Sequence, residues 1–262
     1  MNNQLKIIFY NIKRKGWIKS LRKGATGVGY TFEELLGKKE DHLFLPDFKD
    51  IEIKTFRVFS KKKLHLLTIT PDGDYLFPIE RIVDHLGYPD KDLPKYKVFN
   101  MSFNAKTYTK INKNTFGIIK VDRKNEKIRF IIERGLFTRQ LHISWSFEQL
   151  KERLNVKLKK LAIIEAYNKF INNEEYFLYS KLKYYEIKDF ENFIKSIEEG
   201  VISISFQIGI FKSGNKIGQR HDRGTSFTIN IKDIENIYEK KYESWLWLNN
   251  QIINTYKTII II

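Results

Sequence analysis

The sequence predicts an α+β or α/β chain organised around a mixed β-sheet, and three observations carry that expectation. Short apolar runs of strand character are interspersed with segments of helical spacing in mixed order. The chain has 262 residues, 42% hydrophobic and 15% aromatic, enough to bury a substantial core in one large domain or in a core domain with an elaborated lobe. Cysteine is absent, which removes disulfides, thiolate zinc sites and cysteine nucleophiles together.

Taken in order, "IKRKGWIKSLRK" (12–23) reads as a basic amphipathic helix ending near Gly24, and "GATGVG" (24–29) as a glycine-bearing loop. Thr31 is placed to cap a short helix "FEELLG", with Glu34 at the capping-box position and Gly37 at its stop. Strands are expected over "IEIKTFRVF" (51–59) and "LHLLTIT" (64–70), then a helix over "FPIERIVDHLG" (77–87). A strand-rich middle turns at "DRKNE" and continues through "LHISWSF". Residues 146–171 form the longest helical pattern, with Leu150, Leu154, Leu158, Leu161 and Ile164 on one stripe. An aromatic strand "YFLYSKLKYYEI", a helix "KDFENFIKSIEEG" and strands "VISISFQIGIF" and "SFTINI" follow, the last two flanking the loop "KSGNKIGQRHDRGT". "TIIII" near the end reads as a terminal strand.

No internal repeat or low-complexity linker divides the chain. No stretch of about 18 uncharged apolar residues is present, so no membrane helix is expected. The N-terminus lacks the pattern of a secretory leader, and a cytoplasmic protein is expected. The net charge is +16, from 47 basic and 31 acidic residues. Codon bias towards Lys would raise Glu as well, so the excess favours a polyanionic partner, a nucleic acid.

The segment "PDFKDIEIKT" (46–55) concentrates the chemistry. In a strand, residues i and i+2 share a face, so Glu52 and Lys54 project together while Ile51 and Ile53 point into a core. Asp47 follows Pro46, where the chain can return its carboxylate towards Glu52. Paired carboxylates repel unless a cation lies between them, and hard oxygens suit Mg²⁺, with Mn²⁺ as substitute. Lys54 adds a charge able to orient water and to stabilise a phosphorane-like transition state. Asp50 competes with Asp47, because Asp50, Glu52 and Lys54 alternate onto one face. The plain alternative is a surface strand with alternating polar positions.

Pro46-Asp47 followed by Glu52-Ile53-Lys54 resembles the PD-(D/E)xK nuclease pattern. The stretch from Lys23 to Thr55 is similar to the MvaI/BcnI family of restriction endonucleases, and more distantly to MutH-like mismatch-repair nickases. In that family a "G-x-G-x-x-x-E-x-L-L-G" helix leads into "PDF-x-x-I-E-I-K". Tyr30 departs from the small or basic residue expected there. The resemblance makes Glu33 an additional catalytic carboxylate and Asp47 and Glu52 the metal ligands. A second stretch, "HDRGTSF" (221–227), resembles the family's late His-Asp-(His/Arg)-Gly-Thr loop. The two motifs occur in the family's order and span the chain to about residue 240; residues 241–262 form an unassigned appendage. The resemblance also implies a catalytic core around 12–145 and recognition elements around 200–230.

His221, Asp222, Arg223 and Thr225 are thereby expected at DNA bases, where an Arg fork suits guanine and Asp accepts from cytosine. Lys23, Thr26, Lys61 and Lys62 are expected at the DNA backbone. Arg14, Lys15, Lys19, Arg22 and Lys23 make a candidate phosphate-contacting stripe on the first helix. His65 is either a base reader or a satisfied strand histidine. His42, His85 and His142 lack metal-ligand companions, and Trp17, Trp145, Trp245 and Trp247 read as packing residues.

The resemblance implies a Mg²⁺-dependent type II restriction endonuclease that leaves 5′-phosphate and 3′-hydroxyl ends. It implies a monomer acting on short pseudo-palindromes of the CCNGG type, with a cognate methyltransferase as genetic partner. Two other readings stand beside it: a MutH-like nickase, and a non-catalytic DNA-binding protein.

Overall fold

The computed structural model describes residues 3–37, 45–60, 63–72, 80–135 and 137–244. Its first elements are α1 (Asn3–Arg14), β1 (Ile18–Lys19), α2 (Gly27–Leu35), β2 (Glu52–Arg57), β3 (Leu64–Ile69), α3 (Glu80–Leu86), β4 (Tyr88–Pro89) and β5 (Lys97–Phe103). A meander follows: β6 (Thr109–Asn112), β7 (Thr115–Asp122), β8 (Lys127–Arg134) and β9 (Phe137–Ser146). Then come α4 (Phe147–Lys157), β10 (Lys160–Ile171), β11 (Glu174–Ile187), α5 (Phe190–Glu198), β12 (Ile202–Ile210), β13 (Arg220–Ile229) and β14 (Tyr238–Glu243). These elements divide into two compact units. The first unit comprises Met1–Ser60, Lys160–Glu186 and Glu239–Ile262; the second comprises Lys61–Lys159 and Ile187–Tyr238.

The first unit is built on a mixed sheet ordered β1-β11-β10-β2, with β14 also paired to β11. β2 and β10 run parallel, in the register Glu52↔Leu161, Lys54↔Ile163 and Phe56↔Glu165. One face of this sheet packs on α1 and α2. Leu5, Phe9 and Ile12 from α1, and Val28 and Phe32 from α2, join Ile53, Ala162, Ile164, Ala166 and Tyr179 in a buried cluster. Phe32 is fully buried, and truncating such a ring costs about 3–5 kcal/mol.

The helix expected over 146–171 is therefore two elements. Leu150, Leu154 and Leu158 do form a buried stripe, but the helix ends at Lys157. Leu161 and Ile164 continue its spacing as members of β10, whose run Leu161–Ile164 is fully buried. A strand flanked on both sides and buried on both faces is apolar at every position, so periodicity does not separate it from a helix.

In the second unit, β3-β13-β12-β5-β4 form an antiparallel five-stranded sheet and β6-β7-β8-β9 a four-stranded meander. Phe103, Phe130 and Phe206 pack as rings with centroids 4.6–5.9 Å apart. Gly117 lets them close, because a Cβ there would lie 2.5 Å from the Phe103 ring. The turn at "DRKNE" joins β7 to β8 as expected.

The basic helix expected over 12–23 also differs. α1 stops at Arg14, a turn with Gly16 at φ +71 follows, and Ile18–Lys19 join the edge of the sheet. The basic stripe is thereby split: Arg14 bonds Asn11, Lys19 pairs with Glu174, and Arg22 lies 3.8 Å over the Tyr30 ring. The expected terminal strand, His42, Lys61, Lys62, Trp245 and Trp247 lie outside the described residues. Among the described residues, no helix is long and apolar enough to cross a membrane.

Candidate active site

A tight turn folds the acidic segment onto β2. Phe48 and Ile51 exchange backbone hydrogen bonds of 3.0 and 2.9 Å, and Lys49 takes a left-handed conformation at φ +56. The return brings Asp47 alongside the strand, where its Oδ2 accepts the Ile53 N–H at 2.9 Å. Asp50, the competing first acid, is engaged elsewhere. Its carboxylate is exposed and paired with Lys160, which holds its pKa below the usual value.

Alternation along β2 then separates packing from chemistry. Ile51 and Ile53 enter the cluster with α1 and α2. Glu52 and Lys54 take the opposite face and meet: Lys54 Nζ donates to Glu52 Oε1 at 2.5 Å. The Glu52 side chain is only 1% exposed, against 28% for Lys54. A carboxylate withdrawn so far from water is costly unless cations hold it, so Lys54 leans on the group that would meet a metal.

Thr31 is not the helix cap. α2 begins four residues earlier, with Thr26 in the cap position, and Thr31 is buried within it, accepting the Leu21 N–H at 3.0 Å. Gly37, at φ +79, follows the helix as its expected stop. α2 lies close on β2: a Cβ at Gly29 would be 3.1 Å from Thr55 Oγ1 and 3.6 Å from Glu33 Oε1. Glu33 is thus half-buried beside Thr55, while Glu34 is exposed. The Tyr179 hydroxyl donates to the Val28 carbonyl at 2.9 Å, and burial raises its pKa.

Arg57, at the end of β2, was not anticipated. Its Nε and Nη2 each donate to Glu175 at 2.7 Å, while Nη1 reaches the Ala25 carbonyl and Nη2 the Gly24 carbonyl, both at 2.9 Å. Arg57 holds the Glu175 carboxyl below its ordinary pKa. The segment expected as a glycine loop is therefore clamped, with Lys23 and Thr26 exposed on either side of the clamped carbonyls. The available signal was position: Arg57 shares the α2-facing side of β2 with Ile53 and Thr55.

In the second unit the "HDRGT" motif lies within β13 rather than on a loop. Asp222 pairs with Ile208 and His221 with Gly209, and the register shifts between Phe206 and Ile208. His221 stacks on Phe211 at 4.6 Å, and Asp222 Oδ1 accepts the Gly224 N–H at 2.8 Å. Asp222 and Arg223 are exposed. Thr225 is buried, which suits packing rather than base contact. His65 Nδ1 lies 2.7 Å from Ser226 Oγ, a satisfied strand histidine.

These two motifs and the mixed sheet meet in one comparison. The model of the MvaI/BcnI restriction endonuclease family matches residues 7–238. The chain belongs to the MvaI/BcnI restriction endonuclease family. Membership makes it a type II restriction endonuclease, a site-specific deoxyribonuclease. A solved complex of restriction endonuclease MvaI with cognate DNA is 32% identical, covers 91% of this chain and 96% of its own, and superposes with a TM-score of 0.83. Restriction endonuclease MvaI solved without DNA is 30% identical over 92% of this chain and 98% of its own, with a TM-score of 0.57. A search of curated proteins found no match.

Restriction endonucleases generally use divalent metal ions. Among the described residues of this MvaI/BcnI-family chain, no three His, Cys, Asp or Glu side chains gather as a metal-holding group. Two carboxylates, Asp47 folded back onto β2 and Glu52 within it, supply oxygen donors. That all-oxygen set fits a hard cation that keeps part of its water shell.

Proposed function

We propose that this family member hydrolyses phosphodiester bonds of double-stranded DNA at the Asp47–Glu52–Lys54 site, with Mg²⁺ held by Asp47 and Glu52. The observation that carries the reading is the contact between buried Glu52 and Lys54 on the strand that also binds Asp47. A bound Mg²⁺ would supply a Lewis acid for the phosphate and lower the pKa of a coordinated water. Lys54 keeps two ammonium donors beyond the one given to Glu52, and these are free to orient water and to neutralise charge growing on the phosphate. The Ile53 N–H fixes the Asp47 carboxylate in place. Glu33 is assigned as a further carboxylate on the family resemblance alone; α2 places it near Thr55, on the face of β2 opposite Glu52 and Lys54.

His221, Asp222 and Arg223 serve base recognition, and Lys23 and Thr26 contact the DNA backbone; Lys61 and Lys62 are assigned to the backbone on sequence alone. Thr225 is left to packing. The products carry 5′-phosphate and 3′-hydroxyl ends, the protein acts as a monomer in the cytoplasm, and a cognate methyltransferase protects the host sites. A plasmid digest in Mg²⁺ tests this. Discrete fragments are expected from the natural chain and none from Lys54→Ala or Asp47→Ala. Cleavage that survives either change sinks the site, and nicking that requires repair proteins would replace the function.

A further inference from the structure

The face of the first unit's sheet that carries Glu52 and Lys54 extends across β10 and β11, and its side chains form three rows. Paired residues on neighbouring strands point to the same side. The first row is Glu52, Leu161 and Tyr185; the second is Lys54, Ile163 and Lys183; the third is Phe56, Glu165 and Lys181. The rows differ in exposure. The first is closed, with Leu161 at 0% and Tyr185 at 3% exposure. In the rows beyond, Lys183 and Glu165 reach 21% and Lys181 26%, comparable with Lys54.

Lys183 mirrors Lys54 across fully buried Ile163. Each lysine holds one carboxylate at 2.5 Å, Glu52 for Lys54 and Glu165 for Lys183. A half-buried ion pair adds little to stability, because desolvation offsets most of the attraction, so the fold gains little from placing one there. A lysine has three donors, and Glu165 occupies one. Two strand spacings separate Lys54 from Lys183, about 9.5 Å between their backbones.

The geometry points to Lys183 as a phosphate-binding residue that engages DNA backbone flanking the scissile phosphate, with Glu165 as the positioning residue that aims its ammonium. This rests on the proposed site at Lys54. The two lysines hold successive parts of one strand, Lys54 at the bond that breaks and Lys183 at a phosphate that does not react.

The test is the salt dependence of binding to a fluorescent DNA duplex in Ca²⁺, where no cleavage is needed. Removing one phosphate contact lowers the slope of log K against log salt by about 0.9. Lys183→Met is expected to show that decrease and Lys183→Arg to keep the slope of the natural chain. Lys195→Met, which removes the same charge from an exposed ion pair with Glu199 at the end of α5 in the other unit, is expected to leave the slope unchanged. Glu165→Gln is expected to keep the slope and bind a few-fold more weakly. If Lys183→Met does not fold, Lys183→Gln provides the same reading. An unchanged slope in the Lys183 variant, or an equal fall in Lys195→Met, overturns the assignment. If the natural chain binds but does not cut DNA in Mg²⁺, the nuclease reading fails while the slope still reports on Lys183.

Discussion

Lys54 Nζ donates to Glu52 Oε1 at 2.5 Å, and Glu52 is buried almost completely while Lys54 is not. In the proposed site the lysine has two electrostatic partners, a carboxylate within the protein and a phosphate arriving from solvent. Replacing Lys54 by Met leaves a buried carboxylate without that cation. We expect a loss of about 2 kcal/mol after discounting for solvent screening at the partly open ammonium. Ca²⁺ should raise the melting temperature of Lys54→Met more than that of the natural chain, because a bound cation takes over the neutralisation. Equal shifts in the two proteins would place the cation elsewhere.

Asp47 and Asp50 stand three residues apart and should behave differently. Asp47→Asn is expected to weaken cleavage at least 100-fold, with partial recovery at high Mg²⁺, on the scale of losing a transition-state contact. Asp50→Asn removes an exposed pair with Lys160 and should leave cleavage within about 3-fold, as exposed pairs contribute little. Steady-state rates across a Mg²⁺ titration separate the two.

Arg57 spans Glu175 and two carbonyls with one planar fork. Lysine carries the charge without the fork, so Arg57→Lys should release the Gly24–Ala25 segment. DNA affinity is expected to fall about 10-fold at low salt, with a smaller change in the cleavage rate of bound DNA. An affinity equal to that of the natural chain would show that the clamp is only structural.

The same clamp gives a pH dependence. Arg57 holds the Glu175 carboxyl below its ordinary 4.5, so the folded state binds this proton less readily than the unfolded chain. The stabilisation is fully present above 4.5 and is lost as pH falls through the lower folded value. Melting temperatures taken from pH 6 down to about pH 3 should decline less steeply for Glu175→Gln than for the natural chain. Parallel profiles would show that Arg57 does not hold this carboxylate.

Gly224 sits in β13 at φ +81, and a Cβ there would lie 2.5 Å from Thr68 Cγ2. Gly224→Ala is expected to cost about 1–3 kcal/mol from backbone strain and contact together. Thr68→Ala added to it should recover only the contact part, a split that a double-mutant cycle in chemical denaturation measures.

The sequence by itself determined the two faces of β2. A strand has period two, so "IEIK" assigns Ile51 and Ile53 to a core and Glu52 and Lys54 to the other face without knowledge of any neighbour. The alternation of acid and lysine around buried isoleucines, and the order of the two motifs, were legible for the same reason. What stood beside β2 was not. Leu161–Ile164 satisfies a helical stripe and a buried strand equally, and only pairing with β2 and β11 selects the strand. That choice places Glu165 and Lys183, more than 100 residues away in sequence, on the face of Lys54. The tertiary structure also decided between Asp47 and Asp50 as the acid folded back onto the strand, through the turn at Lys49 and the reach of Lys160. It turned the glycine segment into a clamped one through Arg57. Local pattern records which way a side chain points, whereas long-range pairing decides what it points at.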